Sequence, residues 1–210
     1  MFRAAVVAAA VVAGASASPA VPPFTAHITP LAKKDLPFSY RSGCPVGPAH
    51  LRLVRLRYWG FDAGAHLGSI VVAADVTRDV VTVFARLYAA RFPIRRMEPI
   101  DAFRGSDDRS MAADNTSGFN CRYAVAPGPK RWSAHAYGLA IDVNPVENPY
   151  VEGGVVRPPA GRRYLVRSKQ RPGMAEPGGV IVKAFAGVGW KWGGRWASSP
   201  DYQHFSAGGR

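Results

Sequence analysis

Hydrophobic and polar positions alternate most regularly from Gly138 to Asn144, where Leu139, Ile141 and Val143 interleave with Ala140, Asp142 and Asn144. A period of two marks a strand with one apolar face and one small, polar face. Asp142 therefore points away from the core. His135 has the opposite parity, so a bend is needed to bring it to the same side, and Gly138 is the residue that permits one. Upstream, Leu51 to Trp59 sets Leu51, Leu53 and Leu56 among Arg52, Arg55 and Arg57, which predicts a strand with one basic face. Ser69–Ala73 and Ile94–Ile100 read as further strands. Val76, Val80, Val83, Phe84 and Leu87 recur at helical spacing, which predicts a helix from Val76 to Phe92 with Asp75 as N-cap and Pro93 just beyond its end. A second helix is expected over Val180–Val188. After it come a turn at Gly193-Gly194 and a last extended run from Asp201 to Phe205. The pattern predicts one α+β domain over residues 49–210, with a small, mainly antiparallel sheet and a few helices.

Three stretches escape this pattern. Residues 18–48 are rich in proline and are expected to form an extended, partly disordered arm. Residues 101–132 are polar and read as an irregular loop that shapes a cleft. Residues 147–179 form a long connection carrying Gly153-Gly154, Pro158-Pro159 and Gly178-Gly179, expected to supply part of a substrate rim.

Residues 1–17 combine Arg3, an apolar run from Ala4 to Ala13 and the small residues Ala15-Ser16-Ala17, the layout of a secretory signal peptide. Export, to a secreted or cell-wall-associated location, is the expectation, with an uncleaved membrane anchor as the alternative. In an oxidising compartment Cys44 and Cys121 are expected to pair, the alternative being two buried thiols. There is no Cys-x-x-Cys to suggest a cysteine-bound metal.

The candidate chemistry lies in Ser133-Ala134-His135, Gly138-x-Ala140-x-Asp142 and Asp201-x-x-His204. A catalytic zinc takes three His or carboxylate ligands and keeps a position open for water. His135, Asp142 and His204 supply such a set, and Asp201 is a spare carboxylate able to move a proton between that water and a leaving amine. His27, His50 and His66 have no carboxylate at suggestive spacing and read as surface or structural residues. Trp190, Trp192 and Trp196 read as core, with one expected to line the cleft wall. Ser133 is placed to orient the adjacent ligand, and Tyr137 is equally compatible with packing and with substrate contact.

These segments resemble the M15 family of zinc peptidases, the D-alanyl-D-alanine carboxypeptidase and L-alanyl-D-glutamate endopeptidase group that cuts bacterial peptidoglycan stem peptides. The similarity extends from around residue 50 to residue 206 and includes Tyr58–Val72 and the run Asn115–Arg122. It implies a fold like that of the DD-peptidase and Hedgehog proteins, one Zn²⁺ ion held by His135, Asp142 and His204, and Asp201 as general base. It also implies an arginine that stabilises the carbonyl oxygen; Arg122 is the best match, with Arg104 and Arg109 close by. In the family the carboxylate three residues before the last histidine is Glu or Asp. Asp201 resembles the endopeptidase branch, so an endopeptidase is favoured over a carboxypeptidase. A carboxypeptidase would need a cation for the terminal carboxylate, for which Arg104, Arg109 and Arg131 are candidates. The alternative of another class is a zinc-stabilised, non-catalytic wall-binding module.

The formal charge of +13 changes the picture of partners. Removal of a signal carrying Arg3 leaves 13 − 1 = +12. Anionic cell-wall polymers would concentrate such a protein, although the charge is also compatible with a role in solubility alone. The basic residues are spread along the chain and no nucleic-acid motif accompanies them, so nucleic acid is not expected as a partner. A monomer is expected.

Overall fold

The computed structural model describes residues 21–125 and 129–209. The leader expected at residues 1–17 lies outside them. Among the described residues, no helix is long and apolar enough to cross a membrane. The elements run β1 (Ala26–Pro30), β2 (Leu51–Gly60), β3 (Ala65–Ala73), α1 (Thr77–Ala89), β4 (Pro93–Ile94), β5 (Arg96–Met97), α2 (Asp107–Ala112), β6 (Asn115–Thr116), β7 (Ala140–Asp142), β8 (Tyr150–Glu152), β9 (Val155–Arg157), α3 (Val180–Ala186), β10 (Lys191–Trp192) and β11 (His204–Ser206), with short 3₁₀ turns between them. The expected α+β organisation is present, as several small sheets. β1, β2 and β3 form an antiparallel sheet extended by β4, which pairs in parallel with β2. β10, β11 and β7 form a second antiparallel sheet.

The main core lies between these sheets and the helices. Val80, Val83, Phe84 and Leu87 of α1 pack on Val54, Leu56 and Tyr58 of β2 and on Ile70 and Val72 of β3. The same cluster takes in Ile141 and Val143 from the β7 segment and Phe205 from β11, with Phe205 stacked on Phe185 at 4.1 Å between ring centres. Since side chains alternate along a strand, burying Ile141 and Phe205 turns their neighbours Asp142 and His204 to the opposite face. Hydrophobic burial thus aims the polar residues of both strands into the cleft.

Several local expectations are corrected. Helix α1 starts at Thr77 and has Val76 at its N-cap, with no side-chain cap. Asp75 sits inside a preceding 3₁₀ turn, Ala74–Val76, where the Thr77 hydroxyl instead donates to the Ala74 carbonyl at 2.9 Å. The helix ends at Ala89, and Arg91 at φ 52° turns the chain toward Pro93. The strand expected over Ile94–Ile100 is broken into β4 and β5, because the Arg95 N–H donates to the Asn144 side chain at 3.1 Å rather than to a neighbouring strand. Residues 101–125 hold more order than their polarity suggests: Ser106 caps α2, and buried Asn115 bonds to the Glu98 backbone and the Ser110 hydroxyl.

The proline-rich segment is built into the domain where it is described. β1 pairs with β2 along its whole length, and Leu36 is buried with Leu51, Val71, Phe119 and Cys121 on the second face of the sheet. The basic face predicted for β2 is consequently divided, with Leu51 and Leu53 under this segment and Arg55 exposed further along. The Asp101 carboxylate accepts from the Phe38 and Ser39 N–H groups at 2.8 and 2.9 Å. A Cys44–Cys121 disulfide closes the arrangement, one residue before Arg122.

Candidate metal centre

His135 is carried on a 3₁₀ turn, Ala134–Tyr137, whose first N–H groups are met by the Ser133 hydroxyl, which accepts from the His135 N–H at 3.3 Å. The turn ends at Gly138 in the left-handed conformation, φ 69°. A Cβ there would stand 2.5 Å from the Ala73 nitrogen, so glycine is required both by the bend and by the close approach of β3. The bend expected from parity is present. Beyond it, β7 pairs with β11 in a register that sets His204 directly against Asp142.

The three side chains converge. Nε2 of His135 lies 3.1 Å from Oδ2 of Asp142 and 3.2 Å from Nδ1 of His204, which is itself 3.2 Å from Oδ1 of Asp142. The other ring nitrogen of His135 donates to the Gly118 carbonyl at 2.7 Å. A carbonyl only accepts, so Nδ1 carries the proton and Nε2 presents its lone pair to the cluster in the neutral ring. Two imidazole nitrogens and a carboxylate oxygen, all within 4.8 Å of one another and largely buried, are donors that a divalent cation would reconcile. The donor set suits zinc and its neighbours in the first transition series. Burial alone would raise the Asp142 carboxyl; when the His135 ring carries a second proton on Nε2, its charge and the hydrogen bonds from both histidines hold the carboxyl far below the ordinary carboxylate range instead.

Asp201 is placed by backbone contacts. Its N–H donates to the Gly193 carbonyl at 3.1 Å, its carbonyl accepts from the His204 N–H at 3.3 Å, and it bridges to Tyr150 of β8. Its carboxyl borders the same cleft as His135 and His204. Burial, and then the negative charge of Asp142, push it up to about 7 against the opposing effects of His204 and Arg122. A buried carboxyl balanced near neutrality is suited to taking and returning a proton.

Arg122 also borders the cleft, whereas Arg104 and Arg109 do not. Its Nε side is ion-paired with Asp107 and its Nη1 donates to the Tyr123 carbonyl at 3.3 Å. Asp107 is further held by the Asn120 amide at 2.7 Å. The cleft, about 730 Å³, is walled by Arg122, Ala124, Val125 and Arg131–His135 and by Arg195–Ser199. Of the long connection expected to form the rim, Tyr150 is the residue that reaches it; β8 and β9 pair with each other, and the turn that follows them contributes Tyr164 to a small separate cluster with Val146 and Met174. Trp190 and Trp192 are buried in the core, and Trp196 lines the cleft with its ring centre 5.3 Å from that of His204.

Sequence reasoning missed Asp107, Gly118, Trp132 and Arg195. The last two each sit beside a recognised feature, Trp132 just before Ser133 and Arg195 just after Gly193-Gly194, and that proximity was the available signal. His66 is also corrected: Asp62 lies at a spacing of four and its Oδ1 is 2.9 Å from Nε2, an exposed pair outside the cleft.

Residues 127–207 match the M15 peptidase family model described as D-alanyl-D-alanine carboxypeptidase. That segment is similar to the M15 peptidases. The matched segment is less than half of the chain, but it contains His135, Asp142, Asp201 and His204. Comparison with curated proteins and with solved structures found no match. The similarity to M15 peptidases thus lies in the segment whose side chains build the candidate metal-ligand cluster.

Proposed function

We propose that the protein is an exported, zinc-dependent peptidase that hydrolyses peptide bonds in bacterial peptidoglycan stem peptides. The observation that carries this reading is the convergence of His135, Asp142 and His204 beside the buried carboxyl of Asp201, in a segment that matches a peptidoglycan-directed peptidase family. Zinc in the site supplies Lewis acidity toward a carbonyl oxygen and acidifies water. The chain's own residues do the rest. His135 and His204 orient their lone pairs, the first through its bond to Gly118. Asp201 accepts a proton from the attacking water and delivers it to the departing amine. Arg122, fixed by Asp107, presents positive charge to the oxygen that becomes negative. Trp196 and Trp132 line the cleft and give it apolar wall, which would limit the access of bulk water.

An endopeptidase is the favoured form, because the carboxylate before the last histidine is Asp201. The description of the matched family model supports the carboxypeptidase as the second reading. Export is supported by the leader-like residues 1–17 and by the disulfide, a bond that persists in oxidising compartments. A monomer that concentrates on anionic wall polymers through its charge of +13 completes the proposal. The test is release of new amino groups from purified sacculi by the zinc-loaded protein, with a chelated control. Chelator-sensitive release supports the peptidase; retention on sacculi with no release from either sample would favour the wall-binding module.

A further inference from the structure

The connection between β8 and α3 concentrates positive charge that the proposed hydrolysis does not use. Residues 153–175 contain no Asp or Glu, yet they carry Arg157, Arg162, Arg163, Arg167, Lys169 and Arg171. Arg167 is turned inward, donating to the Glu147, Tyr164 and Ala175 carbonyls and pairing with Glu176 at 3.3 Å. The other five are exposed and form no ion pair with any described residue.

Two of the five share one support. The guanidinium carbons of Arg163 and Arg171 lie 5.1 and 5.2 Å from the centre of the same Tyr164 ring. That ring is itself fixed, because the Tyr164 hydroxyl donates to Glu147 at 3.1 Å. Cation–π contact therefore holds both charges against one buried residue. Between them the chain turns tightly, with the Arg167 N–H donating to the Leu165 carbonyl at 3.0 Å and the Lys169 N–H to the Val166 carbonyl at 3.1 Å. Tyr164 and Arg167 anchor the turn from inside, and Leu165 and Val166 between them are 40% and 57% exposed. A soluble polyanion would use the cations and leave these two aliphatic side chains in water. An anionic lipid surface uses both, its phosphates meeting the guanidiniums and its acyl boundary taking up the apolar tip.

We infer that residues 162–171 are a docking surface for an anionic phospholipid membrane, with Leu165 and Val166 as the apolar tip and Arg163 and Arg171 as headgroup contacts. The inference stands apart from the peptidase reading, since none of these residues borders the metal cleft.

The experiment mixes the full chain with vesicles of phosphatidylcholine alone, or of phosphatidylcholine and phosphatidylglycerol in equal parts. It reads partitioning by sedimentation and local contact by amide hydrogen exchange. The apolar run of residues 4–13 is expected to partition into either vesicle, so what is scored is preference for the anionic one and protection of residues 162–171. The wild type should prefer anionic vesicles, and exchange of residues 162–171 should slow on those alone. R163Q and R171Q should each reduce the preference about fivefold. L165S/V166S should weaken binding to anionic vesicles about tenfold. Equal partitioning into both vesicles, or binding that leaves residues 162–171 unprotected, would overturn the inference. Inorganic polyphosphate tests the other source of phosphate: protection of the same residues by polyphosphate, with L165S/V166S binding vesicles as the wild type does, would assign the turn to a soluble polymer instead.

Discussion

His204 on β11 and Asp142 on β7 are direct cross-strand partners, with Nδ1 of the histidine 3.2 Å from Oδ1 of the aspartate. The pairing makes sheet register and ligand geometry the same structural fact. A slip of β11 by one residue against β7 would turn His204 toward the core and bring Phe205 to the face that Asp142 occupies. His135 joins them from a separate turn, through Nε2.

Replacing Asp142 with alanine removes one of three donors and the negative charge facing both rings. Metal analysis of D142A after dialysis should show zinc content falling from about one ion per chain to a small fraction of that. For the intact protein, a ligand present at about a thousand times its Kd adds about 4 kcal/mol of stability. Zinc should therefore raise the melting temperature of the wild type and leave that of D142A unchanged; equal shifts would remove this site from consideration.

Asp201→Asn keeps the shape of the side chain and removes the proton acceptor. Turnover should fall about 10²- to 10⁴-fold while zinc content is retained. A general base must be deprotonated to act, so kcat/KM should decline on the acid side. With the Asp201 carboxyl pushed up to about 7 in the metal-free fold, the midpoint should lie at or below that value, because a bound cation favours the ionised form. A rate independent of pH from 5 to 8 would argue against Asp201 as the base.

Gly138 should not tolerate a side chain. Gly138→Ala demands φ 69° of an L-residue and places a methyl 2.5 Å from the Ala73 nitrogen. Chemical denaturation should report a loss of about 1–3 kcal/mol from backbone strain alone. Zinc affinity should fall with it, since the same turn aims His135. A variant with wild-type stability would show that the bend is not constrained as described.

Away from the cleft, burial and then the nearby Asp114 raise the Glu147 carboxyl to about 8. Its Oε1 accepts from the Tyr164 hydroxyl at 3.1 Å, while Arg95 stands at the edge of the pair. A raised folded-state value means that the folded protein binds more protons than the unfolded chain between the ordinary glutamate value and about 8. Stability is therefore greatest below that window and declines as pH rises through it. The wild type should lose stability between pH 5 and 8 by an amount on the order of a few kcal/mol, and E147Q should be flatter across the range. The comparison of their denaturation midpoints checks the sign.

The ligand set was legible because three constraints fall on short stretches of chain. Parity placed Asp142 opposite Ile141, the bend was visible in Gly138, and Asp201-x-x-His204 carried its own spacing. Arg122 was legible only through family resemblance, and its partner Asp107 was hidden because the ion pair joins α2 to a segment fifteen residues later. The docking of the proline-rich segment was illegible for a related reason. Its strand β1 is largely solvent-exposed, and among its described residues Leu36 is the one fully buried hydrophobic side chain. The interrupted strand near Arg95 and the ordered 101–125 region depend on side-chain-to-backbone bonds from Asn144 and Asn115, which hydrophobic periodicity does not record.

The most direct test of metal-dependent stem-peptide hydrolysis is mass spectrometry of purified muropeptides after incubation with the protein in three forms: zinc-loaded, chelated, and zinc-loaded Asp201→Asn. The account predicts a defined mass loss from an internal cut with the first, none with the second, and almost none with the third. Unchanged muropeptides in the zinc-loaded sample, or a product that persists after chelation, would contradict it.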